Sequence, residues 1–145
     1  MQRRALNWLK RQLLTAEVVG YLLLARFALT VFSFQQLTWF FERPTRQPEL
    51  TGEARIGQRK EVRNAIYKIH RRFPGSTTCF HRAIAAQAML RRRGIGTTLY
   101  YGAATLPGRG LATHAWVQDG ADGVVGYLTA QREGYHILAR YPESM

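Results

Sequence analysis

The sequence predicts an α+β fold, with helices first and a small antiparallel sheet after them. Two observations carry this. Apolar residues recur at helical spacing over roughly the first two thirds of the chain, whereas from Thr97 onward short runs rich in Thr, Tyr, Val and Leu alternate with Gly- and Asp-bearing turns. Helices that precede strands, instead of alternating with them, give segregated layers. The 145 residues suit a single domain: a helical N-terminal region over 1–42, a linker over 43–52 and a core over 53–145.

The first element is helical. Leu6, Leu9, Leu13, Leu14, Val18, Tyr21 and Leu22 follow helical spacing and form a wide apolar stripe. A basic start followed by an apolar run resembles a membrane anchor. Glu17 and Arg26 nevertheless divide the run, leaving no stretch of about 18 uncharged apolar residues. The stripe can pack in a core, or it can face a partner protein or a membrane surface. Ser33 and Gln36 have capping-box spacing and predict a second, short helix. Two prolines and a glycine in RPTRQPELTG mark the linker at 43–52.

A third helix is predicted at about 53–72, with Ile56, Val62, Ile66 and Ile69 on its apolar side. Arg59, Lys60, Arg63, Lys68, Arg71 and Arg72 lie on a basic side that reads as solvated surface, and His70 reads as a surface residue. Pro74 and Gly75 then break the chain, and Thr77 or Thr78 can cap the next helix. From Cys79 to Arg93 there is neither Gly nor Pro; Gly94 is the expected stop, with Arg91, Arg92 and Arg93 at the negative end of the helix dipole.

Strands are predicted at 97–104, 113–118, 124–128 and 135–141, running as an antiparallel meander. LPGRG at 106–110 and the turn at 119–123 separate the first three.

Two residues carry the chemistry. Cys79, the chain's one cysteine, falls in the first turn of a capped helix, where free N–H groups and the positive dipole end stabilise a thiolate. A lone cysteine is otherwise a small buried hydrophobe. His114 falls on a strand whose alternation puts it on one face with Trp116 and Gln118, and Thr113, Ala115 and Val117 on the other. It is either a half-buried histidine satisfied by a neighbour or the partner of Cys79, since a helix-start cysteine and a strand histidine are the layout of Cys–His hydrolases. Arg82, one helical turn after Cys79, can bond an acidic group, hold the site's own loops or pack on the helix surface.

Composition limits the rest. One cysteine excludes a disulfide framework and a Cys-rich metal site and fits a reducing cytosol, so a cytoplasmic protein without cofactor or metal is expected. The formal charge of +12 calls for an acidic partner. Nucleic acid is disfavoured, because basic residues are scattered over several helices and no helix-turn-helix, RRM or zinc pattern is present.

The ordered set Cys79-Phe80-His81-Arg82-Ala83, MLRRRGI at 89–95 and HAWV at 114–117 resembles the transglutaminase-like cysteine peptidases of lasso-peptide biosynthesis, the stand-alone B2-type leader peptidases. The resemblance covers nearly the whole chain, with its strongest motifs over about 79–126. It implies a papain/transglutaminase-like fold, with Cys79 and His114 catalytic, and removal of the leader from a ribosomally made precursor peptide. It also implies two partners, a small leader-recognition protein and an ATP-dependent macrolactam synthetase. Alternatives are an acyl transferase using the same pair, and a non-catalytic basic adaptor for an acidic peptide or a membrane.

The family's third residue, commonly an Asp about a dozen positions after the His, is missing: Gly126 and Tyr127 stand there. Asp119 and Asp122 lie about five strand residues from His114, on the order of 16 Å, too far to orient it. The imidazole is then left to a dyad, or to a backbone carbonyl, Tyr127 or a residue of the last strand. For the oxyanion the Cys79 backbone N–H serves, and its second donor is unassigned.

Overall fold

The computed structural model describes residues 2–32, 51–72 and 79–141. The short helix expected from Ser33, nearly all of the 43–52 linker and the Thr77 or Thr78 cap lie outside the described residues. Among these, four helices and four strands follow in the order α1 Gln2–Val31, α2 Gly52–Arg72, α3 Cys79–Arg92, β1 Thr98–Leu106, β2 Gly110–Asp119, β3 Asp122–Val125, α4 Tyr127–Glu133 and β4 His136–Tyr141. The architecture is α+β with an entirely antiparallel sheet.

Helix α3 is central because its residues are small and apolar on almost every side. Ala83, Ile84, Ala85, Ala86, Met89 and Leu90 are all buried, and the helix touches α1, α2 and the first three strands. The alanines let backbones approach, while Met89 and Leu90 fill the space; each fully buried large side chain contributes roughly 1.5–3 kcal/mol. Gly94, at φ +78°, ends the helix as expected, with Ile95 N–H returning to the Leu90 carbonyl at 2.9 Å. The buried Gln87 amide donates to the carbonyls of Thr97 and Tyr141, so α3 also holds the outer ends of β1 and β4.

Helix α1 divides its apolar stripe. Val18, Leu22 and Ala25 enter the core, and Glu17 binds the Arg93 guanidinium through two 2.7 Å contacts. Residues 2–13 are exposed throughout, so Leu6, Leu9 and Leu13 do not join the core that the sequence offered them to. By length and composition alone α1 could cross a membrane. Its middle turns, however, are committed to the core and to Arg93.

Helix α2 buries Val62, Ile66 and Ile69, but Ile56 is exposed. Its expected solvated basic face is partly an ion-pair face: Arg55 and Arg59 both bind Asp119, at 2.6 and 2.7 Å, and Arg59 also reaches Asp122 at 3.1 Å.

The sheet corrects two expectations. Its order is β3-β2-β1-β4, so the last strand pairs with β1 on the far edge and does not extend a meander. The third strand stops at Val125, where 124–128 was expected, and α4 follows. Gly126 ends it by entering the left-handed region, φ +77° and ψ −2°, which breaks the ladder and caps α4. The apolar run VVGYL carried a strand signal, but Gly126 splits it, and YLTAQRE beyond is compatible with a helix.

Candidate active site

Cys79 is the first residue of α3, and the N-terminus of that helix abuts strand β2. Its thiol lies beside the His114 imidazole and the backbone of Ala115 at one small cavity, and both neighbours favour the thiolate. The ladder between β2 and β3 last pairs Val117 with Val125, so the β2 backbone at Ala115 has no strand partner on that side and is free to serve the sulfur. The two sequence-selected residues, 35 positions apart, are therefore brought together.

His114 is buried and held from three directions. Its Nε2 lies 2.8 Å from the Gly126 carbonyl oxygen. A carbonyl only accepts, so Nε2 carries a proton and Nδ1 is the ring nitrogen left for the thiol. Trp116 stacks beside it at 5.9 Å between ring centroids, and Tyr135 lies 5.3 Å away on a tilted plane. Trp116 in turn stacks on Tyr100 at 5.6 Å, so β1 and β2 share one aromatic face. Opposite His114 in the register is Gly102. A Cβ there would meet the Trp116 ring at 3.0 Å and the His136 carbonyl at 2.6 Å, so only glycine admits both the indole and β4.

Gly126 is itself fixed. Its N–H donates to the Tyr67 hydroxyl of α2 at 2.9 Å, and its carbonyl also accepts the Ala130 N–H of α4 at 3.2 Å. The acceptor left open by the sequence is thus a backbone carbonyl. Tyr127 does not take that place: its ring lies against Gly123, and its hydroxyl accepts from Gln131. Asp119 and Asp122 are held by Arg55 and Arg59 instead.

The electrostatics suit a thiolate–imidazolium pair. Burial pushes the Cys79 thiol up, but the hydrogen bonds from His114 and Ala115, aided by the charges of His114 and Arg82, bring it below its ordinary value. Burial pulls His114 down, yet the Cys79 hydrogen bond, the Gly126 carbonyl and the Cys79 charge raise it. The helix start adds in the same sense, since Cys79 is the first residue of α3, at the positive end of its dipole.

Beside this pair is a small cavity of about 50 Å³, lined by Tyr67, Cys79, Arg82, His114, Ala115, Val125, Gly126 and Thr129. That volume admits a water or a carbonyl oxygen, not a side chain. A much larger groove of about 970 Å³ runs between α1, α2 and the end of α3, lined among others by Lys10, Arg11, Glu61, Lys68 and Arg92. It contains neither Cys79 nor His114, and Arg92 stands about 20 Å along α3 from the cysteine. Cys79 and His114 both line the small cavity instead. His70 is half-buried, and no cluster of metal-ligating side chains occurs among the described residues.

Tyr67, Tyr135 and Thr129 escaped the sequence, and the backbone carbonyl it offered as one acceptor was not assigned to a residue. Tyr67 follows the period of the buried α2 positions imperfectly and carries no motif, and a backbone acceptor leaves no side-chain signal at all. The glycine itself, standing where an aspartate was expected, was the available sign.

Comparison with curated proteins finds no significant match, and neither does comparison with solved structures. A family model does match, described as the transglutaminase-like superfamily, over residues 21–140. This span contains α2, α3, α4, the first three strands, all but the last residue of β4 and both members of the Cys–His pair. With a thiol at a helix start, a histidine on the adjoining strand and most of its length covered by the family, the chain belongs to the transglutaminase-like superfamily, which includes cysteine proteases and transferases.

Proposed function

We propose that this protein is a cysteine peptidase that removes the leader from a ribosomally made lasso-peptide precursor. The observation that carries the reading is the placing of Cys79 and His114 together on one cavity of carbonyl size, each favouring the charged form of the other, in a chain with the ordered CFHRA, LRRRG and HAWV motifs. A buried cysteine serving only as packing would need no histidine held at 2.8 Å by a fixed carbonyl.

In this mechanism the Cys79 thiolate attacks the carbonyl carbon at the leader–core junction, forming a C–S bond and placing negative charge on the oxygen. The Cys79 backbone N–H, at the start of α3, faces that charge. Collapse breaks the C–N bond, and His114 gives its proton to the departing amine of the core peptide. His114 then takes a proton from water as the hydroxyl oxygen attacks the thioester. The leader leaves as a carboxylic acid and Cys79 returns as thiolate.

A leader must be held away from the reacting bond, and two surfaces suit that work. One is the basic groove between α1 and α2. The other is the exposed face of α1, where Leu6, Leu9, Leu13, Leu24, Phe27 and Val31 recur at helical spacing. A small leader-recognition protein would seat there, with the macrolactam synthetase taking the released core.

The test is incubation of the protein with precursor and recognition partner, read by mass. Native protein should release free leader acid, and Cys79→Ala and His114→Ala should each release none. Full cleavage by Cys79→Ala sinks the proposal; an amide adduct in place of leader acid makes the chain an acyl transferase.

A further inference from the structure

A buried donor without a partner is costly, and the half-buried Arg82 side chain holds one, its Nε, beside the reacting pair. Its Nε is buried and has no hydrogen-bond partner. The side chain lines the small cavity together with Cys79 and His114. Helix geometry explains how it gets there. Arg82 is three positions after Cys79 on α3, and long helical side chains lean toward the helix N-terminus, over the residue one turn before. Its charge is felt at both reacting groups, where it favours a negative sulfur and opposes protonation of His114. Unsatisfied buried donors are rare in folded proteins and call for a reason. The cavity is too small for a substrate side chain but holds one oxygen.

We propose that Arg82 is the second oxyanion donor, its Nε–H meeting the oxygen that becomes negative when Cys79 attacks an acyl carbon. The inference rests on the proposed acyl chemistry and deepens it. In the resting site Nε–H is unspent; when the C–S bond forms, charge moves from sulfur to oxygen, and the donor gains a partner only then. Such an interaction stabilises the transition state more than the ground state, which is the condition for raising the rate.

Two substitutions separate a hydrogen bond at Nε from the mere field of a cation. Arg82→Gln keeps an N–H donor at the same distance along the side chain and removes the charge. Arg82→Lys keeps the charge and puts a methylene where Nε was. Each purified chain is acylated with p-nitrophenyl acetate, which forms an oxyanion, and alkylated with iodoacetamide, which forms none. Both rates are taken on the plateau above the thiol's titration, so thiolate supply does not differ. Unchanged circular dichroism and an intact alkylation plateau establish a folded site.

Relative to alkylation, acylation should fall about 10²-fold in Arg82→Lys, the loss usual for one oxyanion donor, and by less than about tenfold in Arg82→Gln. The reverse order, equal losses, or no loss in either variant overturns the proposal. Should one variant not fold, the other decides: Arg82→Lys within about threefold of native, or Arg82→Gln below about one hundredth of it, is also fatal. A native chain whose Cys79 takes no acetyl group at all removes the peptidase reading as well, whereas native acylation with the wrong pattern removes only the role of Arg82.

Discussion

His114 donates from Nε2 to the carbonyl oxygen of Gly126, 2.8 Å away, so a main-chain group stands where a carboxylate orients the histidine in relatives of the resembled family. The substitution has a physical consequence. A carboxylate brings a full negative charge that stabilises an imidazolium, while a carbonyl brings only a dipole. The remaining stabilisation of His114 in its charged form then comes from the Cys79 thiolate itself. The two groups of this site depend on each other more than they would with an aspartate present.

That dependence can be measured. In Cys79→Ser the hydroxyl stays neutral, so His114 loses the thiolate's charge and its charged acceptor, while burial, the largest influence and a lowering one, persists. Its pKa should fall from above the ordinary imidazole value to below it, followed by NMR titration of the His114 ring protons. The same coupling fixes the pH window in the native protein. Cys79, lowered when folded, remains a thiolate until pH falls through its folded value, and His114, raised when folded, keeps its proton until pH rises through its own. Iodoacetamide reactivity should therefore begin below the ordinary thiol value. A titration at that ordinary value would contradict the pair.

Gly126 should tolerate no side chain. At φ +77° an L-residue is strained, and a Cβ would stand 3.0 Å from the Ala115 carbonyl and 3.1 Å from His114 Nε2. Gly126→Ala should cost about 1–3 kcal/mol of stability from backbone strain alone. Cleavage should also slow roughly 10- to 10²-fold, because a hydrogen bond to a charged group is worth about 1.5–3 kcal/mol. Thermal melts and single-turnover rates measure the two effects separately. An alanine variant with native rate would show that the carbonyl does not orient His114.

Much of this site was legible in the chain, and the reason is local chemistry. Proline, glycine and helix-former spacing placed Cys79 at a helix start, and period-two alternation set His114 on a strand. The ordered motifs then joined them. What escaped depends on contacts between distant segments. Tyr67 meets Gly126 from 59 positions away, and Arg55 and Arg59 turn an apparently solvated helix face into a clamp on the β2–β3 turn. The place of β4 was hidden for the same reason: β-propensity marks a strand, not its neighbour, and α4 had to carry the chain to the far edge of the sheet.

Tyr67 acts at one remove from the chemistry. Tyr67→Phe preserves the ring but deprives the half-buried Gly126 N–H of its acceptor, which costs about 1 kcal/mol, the low end for an unsatisfied donor. The loosened Gly126 should then hold His114 less firmly. The expected result is a fall in kcat with KM nearly unchanged, together with a lower His114 pKa by NMR. Loss of stability with kcat and the His114 titration both intact would make Tyr67 a packing residue only.

Asp119 should matter for stability and not for turnover. Its carboxylate is nearly buried, with 9 % of the side chain exposed, and receives hydrogen bonds from Arg55 at 2.6 Å and Arg59 at 2.7 Å. The Arg55 hydrogen bond is the largest influence, and with Arg59 and the two charges it holds the carboxyl below its ordinary value against the opposing effect of burial. A lowered acid contributes stability above its unfolded pKa and loses it as pH falls through the folded one, so this clamp weakens only at acid pH. Asp119→Asn removes the carboxylate that two half-buried guanidinium groups share, and leaves Arg59 only its longer, exposed contact to Asp122. It should destabilise the fold by about 2–3 kcal/mol near neutrality, the lower part of the range for breaking a buried pair because both arginines keep some solvent contact. The loss should shrink as pH drops below the native carboxyl's titration. Denaturant melts at neutral and acid pH measure this. The Cys79 alkylation rate of the folded variant should match the native rate, because Asp119 touches neither Cys79 nor His114; a large fall there would mean that the clamp also sets the geometry of the reacting pair.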